Sequence, residues 1–458
     1  MSSPSSSNLP LKAIPGDYGL PFFGAIKDRL DYFYHEGTDE FFRTRMQKYQ
    51  STVFRSNMVP GPFMARNPKV VVLLDAISFP ILFDTSKVEK KDVFVGTYMP
   101  SINFTGGYRV CAYLDPSEPK HAIFKGLFLS TLATRHNKFI PLYRSSLSQL
   151  FIELEDEFSS KGKVYFNDYC NKMSFSFLAN LFCDRNPSST ILATDKVTKF
   201  FDSWLFFQLA PLMTLGLPKI LNFLEDIVLH TFPLPSLLLK CDYKKFYEVF
   251  NEYAKSILDE AESLGIKRDE ACHNLVFLVC FNSYGGMKTT LPALIKWVGL
   301  AGEELQRRLA EEIRTVKMSL TKSVAWEALR VKPPVAFQYG HAKEDLVIHN
   351  HDAAFEIKKG EMIFGYQPFA TKDPRIFERP EEFVGDRFVG EEGEKLLKYV
   401  YWSNGREIDD PTVGNKQCPA KNLVVLLSRV MLVEFFLRYD TFTIEAGTFT
   451  SMSKATSS

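Results

Sequence analysis

Between His121 and Phe250 the apolar residues return mostly every three or four positions, a period that predicts successive amphipathic helices. The same period runs from Asp269 to Trp297, interrupted near Asn282–Gly286. Beyond Arg330 it is lost. Pro333-Pro334 opens a region of loops and short β-branched runs, with strands expected over 346–349, 354–358 and 362–366. Runs bounded by Gly and Pro at 51–60 and 69–74 predict two earlier strands, and a last helix is expected over 423–439. This is a mainly α chain with a minor β part. The expected organisation is a flexible N-terminus (1–9), one domain (10–445) and a loose C-terminal tail (446–458). The most apolar stretches, 205–217 and 232–239, are short or broken by Pro and Gly. Neither approaches the ~20 apolar residues of a membrane-spanning helix.

Composition adds exclusions. With 458 residues, 45% of them hydrophobic, the chain can bury a large core, and a net charge of +1 argues against nucleic acid as a partner. The 41 Phe residues suit a large core, and equally an apolar channel. Seven cysteines without short paired spacing suit a reducing compartment rather than a disulfide framework or a zinc site. The histidines show no metal-ligand spacing, and His349-Asn350-His351 reads as a solvent-facing turn. Met1–Asn8 is Ser-rich, short and without an apolar centre, unlike a transit or secretory leader. A cytoplasmic or peripherally membrane-associated location is the expectation.

One cysteine is placed for chemistry. Cys418, in Lys416-Gln417-Cys418-Pro419-Ala420, directly precedes an apolar helix, whose unpaired N–H groups favour a thiolate. Such a thiolate can ligate haem iron, although a lone cysteine there is more often a small buried hydrophobe. Upstream stand Glu327-Ala328-Leu329-Arg330, Pro380-Glu381-Glu382-Phe383 with Asp386-Arg387-Phe388, and Asn404-Gly405-Arg406. In this order the motifs resemble the cytochrome P450 (haem-thiolate) superfamily. The resemblance implies the cytochrome P450 fold, haem (heme b) with Cys418 as the axial metal ligand, and a structural triad of Glu327, Arg330 and Arg387.

Further segments narrow it. Pro15-Gly16-Asp17-Tyr18-Gly19, Thr105-Gly106-Gly107-Tyr108-Arg109, the stretch from Phe281 to Lys288, and an insert over 407–415 are similar to the plant fatty-acid-hydroperoxide family. That family holds allene oxide synthases, hydroperoxide lyases and divinyl ether synthases, and the likeness runs from about Pro10 to Glu445. Oxygen-activating members of the superfamily carry an acid followed by Thr in the central helix; here the text is Phe281-Asn282-Ser283-Tyr284-Gly285-Gly286. A hydroperoxide substrate already holds its O–O bond, so neither dioxygen nor a reductase is needed. The thiolate favours O–O cleavage. The resemblance places Asn282 beside the peroxide as the catalytic amide, and Phe94, Phe281 and Ser283 in the substrate pocket. Gly285 and Gly286, each costing about 1 kcal/mol in a helix interior, would let the macrocycle approach. Phe94 and Ser283 lean toward the synthases, the short N-terminus toward the lyase-rich branch, so lyase and synthase both stay open, as does the preference between 9- and 13-hydroperoxides. Peripheral contact with a membrane or lipid droplet is compatible with a lipid substrate.

Two departures stand out. Ala420 replaces the family's Gly two residues after the ligand, where a methyl is expected to crowd the haem by on the order of 1–3 kcal/mol. The lead into the Glu327 helix is shortened at 316–321, with strain as the expected result. The alternatives are therefore a reductase-dependent monooxygenase and a haem-deficient, inactive paralogue.

Overall fold

The computed structural model describes residues 9–186, 190 and 196–455. The expected features at Met1–Asn8 lie outside them.

The chain alternates two kinds of packing. Long helices, among them Phe139–Lys161, Phe166–Phe182, Gly285–Leu300 and Lys421–Phe436, share one large apolar core that includes Leu147, Phe177, Leu294, Met431 and Phe435. A five-stranded sheet stands beside them in the order Val53–Asn57, Lys69–Leu73, Met362–Tyr366, Phe337–Ala342, Val88–Glu89. Lys69–Leu73 and Met362–Tyr366 run parallel, with Val71 opposite Ile363, and the other neighbours are antiparallel. Lys69–Leu73 and Met362–Tyr366, its parallel pair, read as near-continuous apolar runs because both faces are covered. A smaller sheet pairs Leu11–Lys12, Ala354–Ile357 and Leu346–His349.

The C-terminus corrects two expectations. The last helix ends at Phe436, three residues before the expected Tyr439. The tail expected to be loose from 446 instead forms strand Thr448–Lys454, paired antiparallel with Tyr439–Glu445 and, at its start, with Val164–Tyr165. Its Phe449 is fully buried. The alternating Thr and Ser residues of these strands hide the single apolar face that anchors them.

Helix Asn222–His230 is inverted. Glu225, Asp226 and His230 are buried, while Phe223, Leu224 and Val228 face outward. Arg29 explains the inward charges: its guanidinium donates to Asp226 Oδ2 at 2.6 Å and to the His230 carbonyl at 3.0 Å. Phe33 stacks on His230 at 4.1 Å. The N-terminal helix Phe23–Leu30 is thus pinned to this one.

Candidate active site

The structural triad forms. Glu327 and Arg330 lie one turn apart on helix Ser319–Val331, both fully buried. The carboxylate accepts from Arg330 Nε at 2.7 Å, from Arg387 Nε at 3.0 Å and from the Val384 N–H at 2.9 Å. Arg330 also donates to the carbonyls of Pro380, Thr371 and Glu382. Every charge is paired and hydrogen-bonded. Removing one partner of such a network strands a buried charge, at about 3–5 kcal/mol.

The helix that carries Glu327 and Arg330 also reaches the cysteine loop, through Trp326. Gly405 is obligatory there, since a Cβ would stand 2.7 Å from the Gln417 amide, which itself bonds Ser403 and the Arg406 carbonyl. The Cys418 N–H donates to the Ser403 carbonyl at 2.8 Å. The insert over 407–415 is built in: buried Glu407 accepts from both Trp326 and Trp402 indoles, at 2.8 and 2.7 Å, and Lys421 ties the Glu407 and Asp409 carbonyls. Cys418 is half-buried, with part of its surface open. Burial pushes its thiol up, opposed by the Ala420 N–H and the Lys125 ammonium.

Around this loop lies a group of buried cations that the sequence did not announce. Lys125 donates to the Gln417 and Asn415 carbonyls, Lys416 to those of Cys111, Ala112 and Leu114, and Lys90 to that of Tyr339. Burial, with mutual repulsion, pushes Lys90 down to about 7 and His121 to about 4. Lys125 falls to about 8, through burial and despite the nearby thiols of Cys418 and Cys111. His121 Nδ1 is buried without a partner. Among the described residues Asp115 is the carboxylate that opposes burial at both Lys90 and His121. The lysines here outnumber the carboxylates, Asp115 and, beside Lys416, Glu118. The distance along the chain between the three stretches that carry them, at 90, at 121–125 and at 416, and the ordinary reading of Lys as a solvated side chain, concealed this group.

A second wall is the helix from Arg268, which widens into a π-helical segment, Phe277–Tyr284, before continuing as Gly285–Leu300. Such widenings are characteristic of functional sites. Phe94, Phe277, Phe281 and Tyr113 form an aromatic cluster, with Phe94 5.6 Å from Phe281 and 5.9 Å from Tyr113. Asn282 is exposed on this segment and its amide bonds nothing among the described residues; Ser283 beside it is half-buried. A Cβ on Gly286 would meet nothing within 4 Å, and one on Gly285 only Leu205 at 3.9 Å. The two walls meet through residues 111–114: Tyr113 packs on Phe94, the Cys111 N–H bonds Asn274, and Lys416 grips the carbonyls.

Haem b fits these residues. The open face at Gly286 suits a flat macrocycle, the cations with the orphaned His121 nitrogen suit two carboxylates, and the half-open thiol suits a metal.

Of the two departures, the shortened lead carries the expected strain, while Ala420 has an ordinary backbone conformation. Ala420 has φ −91°, needing no glycine, and it begins the Lys421–Phe436 helix with its carbonyl bonded to the Val424 N–H. The short connection at 315–318 leaves the triad intact, but Val316 takes φ +60°. His351 is not solvent-facing: it bonds Asp373 Oδ2 at 2.7 Å with its side chain 14% exposed. Asp75 stands with them at a three-ligand metal spacing, yet both carboxylates already accept bonds from Ser78, Thr52 and the Ala76 and Arg375 N–H groups. The group is a structural staple.

The cytochrome P450 family model matches residues 302–407. "Allene oxide synthase 3" of tomato (Solanum lycopersicum) is 57% identical, covering 99% of this chain and 96% of the relative. "Allene oxide synthase 1, chloroplastic" of the same plant is 56% identical, covering 97% and 87%. A solved retinoic-acid-bound cyanobacterial cytochrome P450 superposes with a TM-score of 0.67 at 17% identity over 96% of this chain and 94% of that one, a likeness of fold. Several relatives, from tomato, flax and Arabidopsis, are named chloroplastic. Those names overturn the cytoplasmic expectation drawn from the Ser-rich start. Among the described residues no helix is long and apolar enough to cross a membrane.

Proposed function

Because the chain belongs to the allene oxide synthase family of the cytochromes P450, we propose that it dehydrates polyunsaturated fatty-acid hydroperoxides to allene oxides, using neither dioxygen nor a reductase. The observation that carries this reading is Asn282: an unpartnered amide on a π-helical segment, beside an aromatic cluster, where oxygen-activating enzymes carry an acid and Thr.

Cys418 would hold the iron, with Gly285 and Gly286 admitting the macrocycle and Lys90, His121, Lys125 and Lys416 neutralising its carboxylates. When bound, haem with a thiolate ligand supplies cleavage of the O–O bond. Asn282 can donate to one peroxide oxygen and accept from the hydroperoxyl proton, which fixes the peroxide before cleavage. Phe94 and Phe281 pack against the diene, hold the acyl chain and exclude water from the carbon that closes the epoxide. In the balanced reaction the O–O bond breaks, one oxygen stays on carbon as the epoxide, and the other leaves as water with the hydroperoxyl hydrogen and one hydrogen from the chain. The outward apolar side chains of helix Asn222–His230 support contact with a lipid surface as the source of substrate. The chloroplastic names of the relatives support a plastid as its place.

The test is incubation of haem-loaded protein with the 9- and 13-hydroperoxides of linoleate, without NADPH or reductase, and identification of products by mass spectrometry. Ketols from a hydrolysed allene oxide are expected. Short-chain aldehydes would instead identify a hydroperoxide lyase, and turnover only with NADPH a monooxygenase.

A further inference from the structure

The Thr105-Gly106-Gly107-Tyr108-Arg109 motif has no part in the reaction as proposed, yet it is anchored more heavily than a connecting loop requires. Gly106 and Gly107 have φ +66° and +89°. Gly106 lies flat on the imidazole of His273: a Cβ there would stand 2.1 Å from Nε2 and 2.3 Å from Cε1. The ring beneath is itself clamped. Tyr243 Oη meets His273 Nδ1 at 2.7 Å, and the Tyr247 ring packs 4.6 Å away. One turn earlier on the same helix, Asp269 accepts from Tyr108 Oη at 2.8 Å and from Tyr247 Oη at 2.7 Å. Arg109 ties the far end of the loop to Asp92 at 2.9 Å and Glu118 at 2.7 Å.

The same clamp reaches the aromatic pocket. Trp204 Nε1 donates to the Phe104 carbonyl at 3.3 Å, and its ring stacks on Tyr243 at 5.9 Å while standing 6.0 Å from Phe281. Phe104 itself is buried in the large core. Asp92, gripped by Arg109, lies two residues before Phe94. His273 lies four residues before Phe277 on the helix that becomes the π-helical segment. The loop is therefore fixed to both elements that carry the pocket's aromatic side chains. Simple packing would need neither a buried imidazole nor three tyrosine hydroxyls directed at it and at Asp269.

We propose that His273, clamped by Tyr243 and seated under Gly106, is a positioning residue that holds the 105–109 loop as one wall of the acyl-chain pocket and so sets discrimination between hydroperoxide regioisomers. The inference rests on the function proposed above. The 9- and 13-hydroperoxides differ in how much chain lies on each side of the peroxide carbon, so a wall held at one depth favours one of them. Releasing the wall lets both chains slide.

Tyr243→Phe, which removes one oxygen, and His273→Phe, which keeps a ring but loses the bond, test this. Each is expected to raise KM for the preferred regioisomer roughly 3- to 10-fold, the range that one net hydrogen bond supplies, and to narrow the 9/13 ratio of kcat/KM. The haem absorption band and kcat should stay near wild type. His273→Asn, whose amide oxygen can still accept from Tyr243, should recover part of the ratio. A fall in thermal stability with KM and the ratio unchanged would reduce His273 to a packing residue. If wild type turns over neither hydroperoxide, the functional proposal fails, but two other readouts still decide this one. They are hydrogen exchange of the 101–109 amides and equilibrium binding of 13-hydroxylinoleate. Faster exchange confined to that loop with weaker binding in Tyr243→Phe supports the wall; no change in either overturns it.

Discussion

At the scale of single residues, the proposed site is built on groups whose surroundings leave them unsatisfied. Asn282 is the clearest, exposed on the segment Phe277–Tyr284 that is otherwise buried or half-buried, and bonded to nothing among the described residues. An amide that orients a peroxide acts as a preorganised donor, and loss of such a donor costs about 10²–10³ in kcat. Asn282→Ala should therefore lower kcat by about 10²-fold while the haem band and KM change little, measured by stopped-flow loss of the hydroperoxide diene. An unchanged kcat would remove Asn282 from the mechanism. His351 makes the opposite case, a group that is fully used. Its hydrogen bond to Asp373, helped by that carboxylate's charge, raises its pKa, while Asp373 is lowered overall although burial opposes this. A raised histidine contributes stability that is complete below about pH 6.5, its unfolded value, and is lost as pH rises through the folded value; the lowered aspartate keeps its share until pH falls below its own range. His351→Gln should therefore cost more in Tm at pH 6 than at pH 9. An equal loss at both would mean that the pair contributes no charge-dependent stability.

At the scale of elements, the turn between helices Glu303–Arg314 and Ser319–Val331 shows how the shortened lead is tolerated. Glu312 folds over the start of the second helix, accepting from the Leu320 and Thr321 N–H groups at 2.6 and 2.8 Å and from the Ser319 and Thr321 hydroxyls. One carboxylate thus satisfies donors that a longer loop would leave to water. The residual strain sits on Val316, a β-branched side chain at φ +60° and 79% exposed. That conformation costs about 1–2 kcal/mol for a residue with a Cβ, so Val316→Gly should raise Tm, while Glu312→Gln should lower it; scanning calorimetry of the two variants checks both signs. Neither change is visible from composition. What was legible at this scale was short-range: the strands at Val53–Asn57 and Lys69–Leu73, the break before Gly285, and the Glu327–Arg330 pair, each coded within a few residues. The hairpin Tyr439–Glu445 with Thr448–Lys454 was not, because its outward Thr and Ser residues read as tail.

At the scale of the whole molecule, the cations around the cysteine loop come from three distant stretches, near Lys90, near His121 and Lys125, and at Lys416. No local pattern could pair them, whereas Cys418 and Arg387 could be found from their motifs. Their convergence has a consequence for the protein without its cofactor. Burial pushes Lys90 down to about 7, with Lys416 adding to the effect and Asp115 opposing it. Between that value and the ordinary lysine range, the unfolded chain holds a proton that the folded chain has released. The unfolded state then binds more protons, so stability rises with pH across this window. Carboxylates placed beside Lys90 would favour its charged form, raise its folded pKa and shrink that rise. Haem-free protein should therefore gain thermal stability relative to the haem-bound form as pH increases from 7 to 9, and Lys90→Met should flatten the gain. Parallel pH profiles for the two forms would mean that Lys90 does not face the cofactor's carboxylates, and the anion-binding role would then fall to Lys125, His121 and Lys416 alone.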